Sequence, residues 1–233
     1  MIKTPYKIRR FLICIRTLAG WVNFIFKKPQ RILFLTGWFL SFLPGRSAFS
    51  EGMPWVNFEA KKWLDSYLTK EMNVFEWGSG GSTLYLASRV KSLVSVEHNP
   101  EWHSRIDNLL REKKLDNCRY ILKEPQVDVD GSYFSTSKRY KGLSFKEYCQ
   151  IIELYPDNFF DLVVVDGRAR PFCISLAIEK IRAGGFLFLD DSDGLEYSEG
   201  IKLLKNWPRN DFQGPKPYTL SFYQTTVWQK IIK

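Results

Sequence analysis

An α/β fold built on a mostly parallel, doubly wound sheet is predicted for residues 51–233, with a helical extension over residues 1–50. Three observations predict it. Short apolar runs rich in Val, Leu and Phe alternate with segments of helical spacing, the pattern of strands joined by crossover helices. The run Asn73-Val-Phe-Glu-Trp-Gly-Ser-Gly-Gly-Ser-Thr83 reads as a strand, a glycine turn and a helix start, in that order. Glycine tolerates φ > 0 and lets a ligand approach the backbone, and this corner is where such sheets bind nucleotides. Finally, four apolar runs end in carboxylates: Glu76, Glu97, Asp166 and Asp190-Asp191. In an open parallel sheet those ends share one edge, and ligands bind beyond it.

The extension comes first. It carries nine Lys/Arg and no acid, whereas the remainder balances 25 bases against 25 acids, so the formal charge of +9 belongs entirely to residues 1–50. A neutral body has no basic excess for a polyanion, and no nucleic-acid partner is expected. Two apolar stretches, Phe11–Phe26 and Ile32–Leu43, fall short of the ~20 apolar residues a spanning helix needs. On a helical wheel Phe11, Cys14, Ile15, Leu18, Val22 and Ile25 share one face, with Arg9, Arg16, Asn23 and Lys27 opposite. A basic amphipathic helix of this kind lies in a membrane interface or packs on its own domain. The expected location is cytoplasmic, peripheral on the inner face of a membrane, and an oligomer is compatible with the sequence. Cys14, Cys118, Cys149 and Cys173 are widely spaced and suggest neither a zinc site nor a disulfide framework.

Pro44-Gly45-Arg46-Ser47 marks the boundary. Asn57 caps a helix to about Leu68. The first strand ends at Glu76, the glycine corner follows, and a helix runs from Leu84 to Val90. The second strand, Leu93–Val96, ends at Glu97, and Asn99-Pro100 opens a helix to Lys114 as a cap and a first-turn proline. Cys118–Leu122 is the third strand. Lys123–Gly142 is a long polar loop, including Asp128 and Asp130, of the sort that closes over sites. A helix over Ser144–Leu154 precedes the fourth strand, Phe160–Val165. Pro171 opens a helix to Ile181, ended by Gly184-Gly185, and Phe186–Leu189 is the fifth strand. A helix over Glu196–Lys205 and antiparallel strands at Tyr218–Tyr223 and Thr226–Ile231 complete the chain.

The glycine turn does not match the dinucleotide fingerprint, whose third glycine would fall at Thr83. Glu76 beside the loop would also repel a pyrophosphate. A cofactor with an ammonium, a sulfonium and a ribose suits Glu76 and Glu97 better, which describes S-adenosylmethionine (SAM). In Glu76-x-Gly78-x-Gly80, the strand ending at Glu97, Phe160-Asp-Leu-Val-Val-Val-Asp166 and Arg182-Ala-Gly-Gly-Phe-Leu-Phe-Leu-Asp190, the chain resembles the class I SAM-dependent methyltransferase superfamily over residues 55–233.

The resemblance implies a Rossmann-like seven-stranded sheet of order 3-2-1-4-5-7-6 with helices on both faces. It also implies methyl transfer from SAM. The expected acceptor is a small molecule or, from the basic amphipathic extension, a lipid- or sugar-linked one. The absence of the Asn/Asp-Pro-Pro-Tyr signature of amino-group methyltransferases, with Asp166-Gly-Arg-Ala in its place, points to oxygen. The candidate cofactor residues are Glu76, Gly78, Ser79, Gly80, Glu97, His98, Glu124 and Asp166, and Asp166 is the candidate base. Metal-dependent O-methyltransferases of the catechol and caffeoyl-CoA kind carry an Asp after the fourth strand and an Asp-Asn pair after the fifth. Asp166, Asp190 and Asp191 are therefore a candidate Mg²⁺ set, although the lysine those enzymes place one turn after the first Asp is replaced by Ala169-Arg170. Arg168 and Arg170 either hold an anionic substrate or neutralise the carboxylates. The competing functions are aminopropyl transfer on the same fold, a nicotinamide-dependent oxidoreductase, and a non-catalytic membrane adaptor.

Overall fold

A computed structural model describes residues 6–127 and 131–231, with side chains from Leu12 onward. Asp128 and Asp130 of the polar loop, and the side chains of Arg9 and Phe11, lie outside the described residues. Seven strands form the main sheet: β1 (Asn73–Trp77), β2 (Ser92–Glu97), β3 (Cys118–Leu122), β4 (Phe160–Val165), β5 (Ile181–Leu189), β6 (Arg209–Pro215) and β7 (Phe222–Gln229). Their order is 3-2-1-4-5-7-6, as expected. β1 pairs in parallel with β2 and β4, and β4 with β5, while β7 runs antiparallel to both β5 and β6.

Alternation along each strand divides the core between two faces. Phe75, Trp77, Val163, Val165, Leu187 and Leu189 pack on Tyr148, Ile152 and Ile174. Val74, Leu162, Val164 and Phe188 pack on Ala60, Leu64, Leu84 and Ile106. Runs that are apolar at every position are what a sheet covered on both faces requires. Asn57 accepts a hydrogen bond from the N–H of Ala60 and Asn99 accepts one from that of Trp102, each at 2.9 Å, so both expected helix caps form.

The carboxyl-terminal strands differ from expectation. Tyr218–Tyr223 is mostly the turn before β7, and Arg209–Pro215 is the outer strand. Arg-Asn-Asp-Phe-Gln-Gly-Pro carries almost no apolar alternation because it is a solvent-facing edge strand. Tyr218 has φ of 64°, which breaks an extended run. β5 begins at Ile181, with a register shift before Leu162–Phe186, so Gly184-Gly185 lies inside an irregular strand rather than at a helix end. The polar loop contains a two-stranded ribbon, Gln126–Val127 with Leu143–Ser144.

The first helix, Tyr6–Lys27, packs on the body through Thr17, Trp21 and Phe24, which are buried with Trp38 against Phe222, Phe34 and Phe58. Thr17 donates to the carbonyl of Leu220 at 2.7 Å, and Trp38 Nε1 to that of Thr219 at 3.0 Å. Arg31 forms a two-pronged pair with Glu59, at 2.9 and 2.5 Å. The packed stripe is thus the aromatic one. Ile15, Leu18 and Val22, on the apolar face of the wheel, are exposed, Leu18 to 68%. No helix among the described residues is long and apolar enough to cross a membrane.

Candidate functional site

The glycine corner brings β1 and β4 together at the carboxyl edge. Gly78 has φ of +90°, and a Cβ there would lie 2.7 Å from the carbonyl of Asp166, so only glycine lets the two loops meet. Gly81 serves another contact. A Cβ on it would lie 2.1 Å from the carbonyl of Ala48 and 2.3 Å from that of Met53, so this glycine admits the end of the extension rather than a phosphate.

Glu97 sits at the end of β2, about 2% exposed, and four protein donors hold it. Ser79 N–H and Oγ reach Oε2 at 3.1 and 2.7 Å, and the N–H groups of His98 and Asn99 reach Oε1 at 2.8 Å each. Burial works against its charge, but His98, Ser79 and Asn99 outweigh it and keep the carboxyl below the usual range, so Glu97 is ionised. His98 Nδ1 lies 2.9 Å from Oε1, and Nε2 lies 2.8 Å from the hydroxyl of Tyr140.

Glu76 behaves differently. Strand alternation puts it on the Val74 face, beneath the helix Gly81–Ala87, where it is fully buried. Thr83 and Ser95 hydroxyls donate to its Oε2 at 2.7 and 2.6 Å, and its Oε1 has no partner. Burial, reinforced by the nearby charge of Glu97, pushes its carboxyl up to about 7. Glu76 therefore braces the glycine loop from below and does not line the cavity, contrary to the expected contact with a cofactor's ammonium.

That cavity, of about 430 Å³, is walled by Gly78, Ser79, Glu97, His98 and Asp166 together with Trp102, Arg105, Arg139, Tyr140 and Arg168. Five expected residues thus converge. Gly80 continues the turn into the helix, its N–H donating to Thr83 Oγ1 at 3.0 Å. Glu124 is exposed beyond β3, outside the cavity wall, because the chain turns there into the ribbon. Trp102 escaped the sequence reading as a wall residue. Its indole donates to the carbonyl of Ser79 at 2.8 Å, and its position in the first turn after the Asn99 cap was the available signal.

The expected metal set is brought together but does not fit a divalent cation. Asp166, Asp190 and Asp191 place carboxylate oxygens within 4.8 Å of one another. However, Lys216 Nζ donates to Asp190 Oδ2 and Asp191 Oδ1 at 2.6 Å each, and Thr225 donates to Asp190 Oδ1 at 2.7 Å. Arg170 pairs with Asp166 Oδ1 at 2.9 Å. Both oxygens of the buried Asp190 are engaged, and an ammonium and a guanidinium supply the compensating charge. Burial works against the Lys216 ammonium, but Asp190, Asp166 and Asp191 hold its pKa above the usual value, so it stays charged. Asp190 and Asp191 are scaffold, and no Mg²⁺ step is assigned.

Asp166 keeps about 30% of its side chain exposed, facing the cavity. Burial first, and the neighbouring Asp190 second, push its carboxyl up to about 7. A second cavity, of about 460 Å³, adjoins the first through Gly167, Arg168 and Arg170 and has Phe134, Pro171, Phe172, Tyr197 and Leu203 in its walls. Ala169, between the two arginines, holds φ of 49°, a strained conformation of the kind found at functional turns.

No known family matches the sequence, and no curated protein matches it. Solved structures do match in fold. An rRNA methylase from Streptococcus thermophilus is 11% identical with a TM-score of 0.52, covering 75% of this chain and 95% of its own. A Streptococcus mutans protein in complex with SAH is 12% identical with a TM-score of 0.52, covering 76% and 99%. A precorrin 8w decarboxylase from Methanobacterium thermoautotrophicum is 18% identical with a TM-score of 0.51, covering 75% and 90%. The chain has the fold of class I SAM-dependent methyltransferases.

Proposed function

We propose that this chain is a SAM-dependent methyltransferase, with the cofactor in the first cavity and the acceptor in the second. The observation that carries the proposal is their junction, where Asp166 faces the cofactor cavity beside the shared residues Gly167, Arg168 and Arg170. SAM, when bound, supplies an electrophilic methyl group on a sulfonium.

The chain supplies the rest. Ionised Glu97 accepts hydrogen bonds from sugar hydroxyls. All four of its bonds are taken by protein donors, but Ser79 Oγ also lies 2.6 Å from the hydroxyl of Tyr120 and can turn to it, freeing one position. Asp166 accepts the acceptor's hydroxyl proton at Oδ2, the oxygen left free by Arg170 among the described residues. A carboxyl near 7 is matched to that task at neutral pH. The walls align acceptor and donor, the largest contribution to a displacement of this type. This favours oxygen as the methylated atom.

One fold neighbour is named an rRNA methylase, so the comparisons give no support to excluding a nucleic-acid acceptor. The size of the second cavity favours a small molecule. Calorimetric titration with SAM, and SAH release in the presence of cell extract, test the reading. Asp166→Asn is expected to keep SAM affinity within about threefold and to slow turnover by roughly 10²–10⁴-fold. A folded chain that binds neither SAM nor SAH overturns the proposal.

The extension fits an anionic membrane surface. Leu18, Val22 and Phe26 recur every fourth residue on the exposed side of the first helix, Phe26 to 86%. The charges on the other side of that helix and just beyond it, Arg16, Lys27 and Lys28, are all positive. Apolar side chains backed by cations suit the boundary between acyl chains and anionic headgroups. Co-sedimentation with vesicles containing anionic lipid should capture the protein, and a failure to pellet sinks this reading.

A further inference from the structure

The two arginines after β4 have separate fates. Arg170 is fully committed: Nε donates to the carbonyl of Gly167 at 3.1 Å, Nη2 to Asp166 Oδ1 at 2.9 Å, and Nη1 to the carbonyl of Asp190. Arg168 accepts at its carbonyl from Cys173 Sγ at 3.4 Å, but its guanidinium makes no hydrogen bond or ion pair among the described residues. It is half-buried, its guanidinium lies 5.4 Å from the centre of the Tyr140 ring, and it belongs to the walls of both cavities. No carboxylate among the described residues, Glu101 and Glu196 of the two walls included, pairs with it. Asp166 is paired with Arg170, Glu97 is held by four donors, and Glu199 on the second wall pairs with Lys202. Arg139, 5.6 Å from the same Tyr140 ring and likewise without an acid partner among the described residues, adds a second cation at this rim.

A partly desolvated guanidinium without a carboxylate is unfavourable unless an anion meets it, and its planar fork matches the oxygens of a carboxylate or phosphate. Beyond it the second cavity is apolar and aromatic, with Phe134, Pro171, Phe172 and Leu203. We infer that Arg168 is the receptor for an oxyanion on the acceptor, a small molecule with an apolar or aromatic body and a phosphate or carboxylate at the end nearest the cofactor. This rests on the second cavity holding the acceptor.

The test uses SAH-loaded full-length protein titrated with phenyl phosphate, benzoate and phenol. Phenyl phosphate or benzoate should bind measurably and phenol at least tenfold more weakly, and the stronger of the two anions names the headgroup. Arg168→Gln should weaken that anion by about tenfold or more, leave phenol unchanged, and leave SAH affinity intact. Equal binding of anions and phenol, or an unchanged anion affinity in the variant, overturns the inference. So does a variant whose loss falls on SAH, because Arg168 then serves the cofactor's own carboxylate. No SAH binding to the unaltered chain overturns the methyltransferase reading beneath it, a result the anion titrations do not mimic.

Discussion

Glu76 and Glu97 end neighbouring strands, yet their surroundings shift their carboxyls in opposite directions. Glu97 has four donors and is ionised. Glu76 is sealed under a helix with two, and its carboxyl rises to about 7 from 4.5. A carboxyl raised in the native state stabilises the fold fully below the unfolded value. That contribution is lost as pH climbs through the native one. Between about pH 4.5 and 7 the unfolded chain sheds the proton that the native chain keeps, so stability falls by about 3 kcal/mol. Glu76→Gln cannot ionise and should flatten that slope. Chemical denaturation at pH 5 and pH 8 measures it, and equal slopes for the two proteins would refute the assignment. The sequence showed that both carboxylates sit at strand ends. It did not separate their roles, because the face that Glu76 takes follows from the pleat while its depth depends on the helix laid over it.

At the scale of elements, the antiparallel closure of the sheet shapes the acidic cluster. β7 starts at Phe222 against Pro215 of β6 and enters its pairing with β5 only at Thr226, opposite Leu189 where β5 ends. The β6–β7 turn therefore lies beyond Asp190 and Asp191 and delivers Lys216. Lys216→Met would strand a buried carboxylate and should destabilise the protein by about 3–5 kcal/mol at neutral pH. Adding Asp190→Asn should recover much of that loss in thermal melts, and a single variant as stable as the parent would contradict the pairing. EDTA should change neither stability nor turnover. The parallel strands were legible from their continuous apolar runs, and β3 from Cys118 to Leu122. The outer strand was not, because Arg209–Pro215 faces solvent and offers no alternation to read. Lys216 was equally hidden, since a lysine in a loop some 25 positions from its partners leaves no local trace.

For the whole molecule, the extension and the body are knit by the Trp21–Phe24–Trp38 cluster and the Arg31–Glu59 pair. Removing residues 1–50 would strip this packing, so truncation cannot isolate the proposed membrane contact. Leu18→Glu with Val22→Glu alters only exposed positions and spares Thr17, Trp21 and Phe24. The double variant should lose at least tenfold in vesicle partitioning with an unchanged melting temperature. Raising salt from about 0.1 to 1 M should weaken the parent as the charges are screened. The wheel and the charge segregation singled out the stripe of Ile15, Leu18 and Val22, which stays exposed, but left open whether it or another stripe meets the body. The aromatic stripe of Trp21 and Phe24 does so, because tight aromatic packing is not visible in summed hydropathy.

The backbone carbonyls of Ala48 and Met53 occupy the space a side chain on Gly81 would need. The leader is therefore not a portable module. A chimera grafting it onto another sheet of this type would require glycine at that same turn, and an alanine at the position of Gly81 would pry the graft loose beside the proposed cofactor cavity.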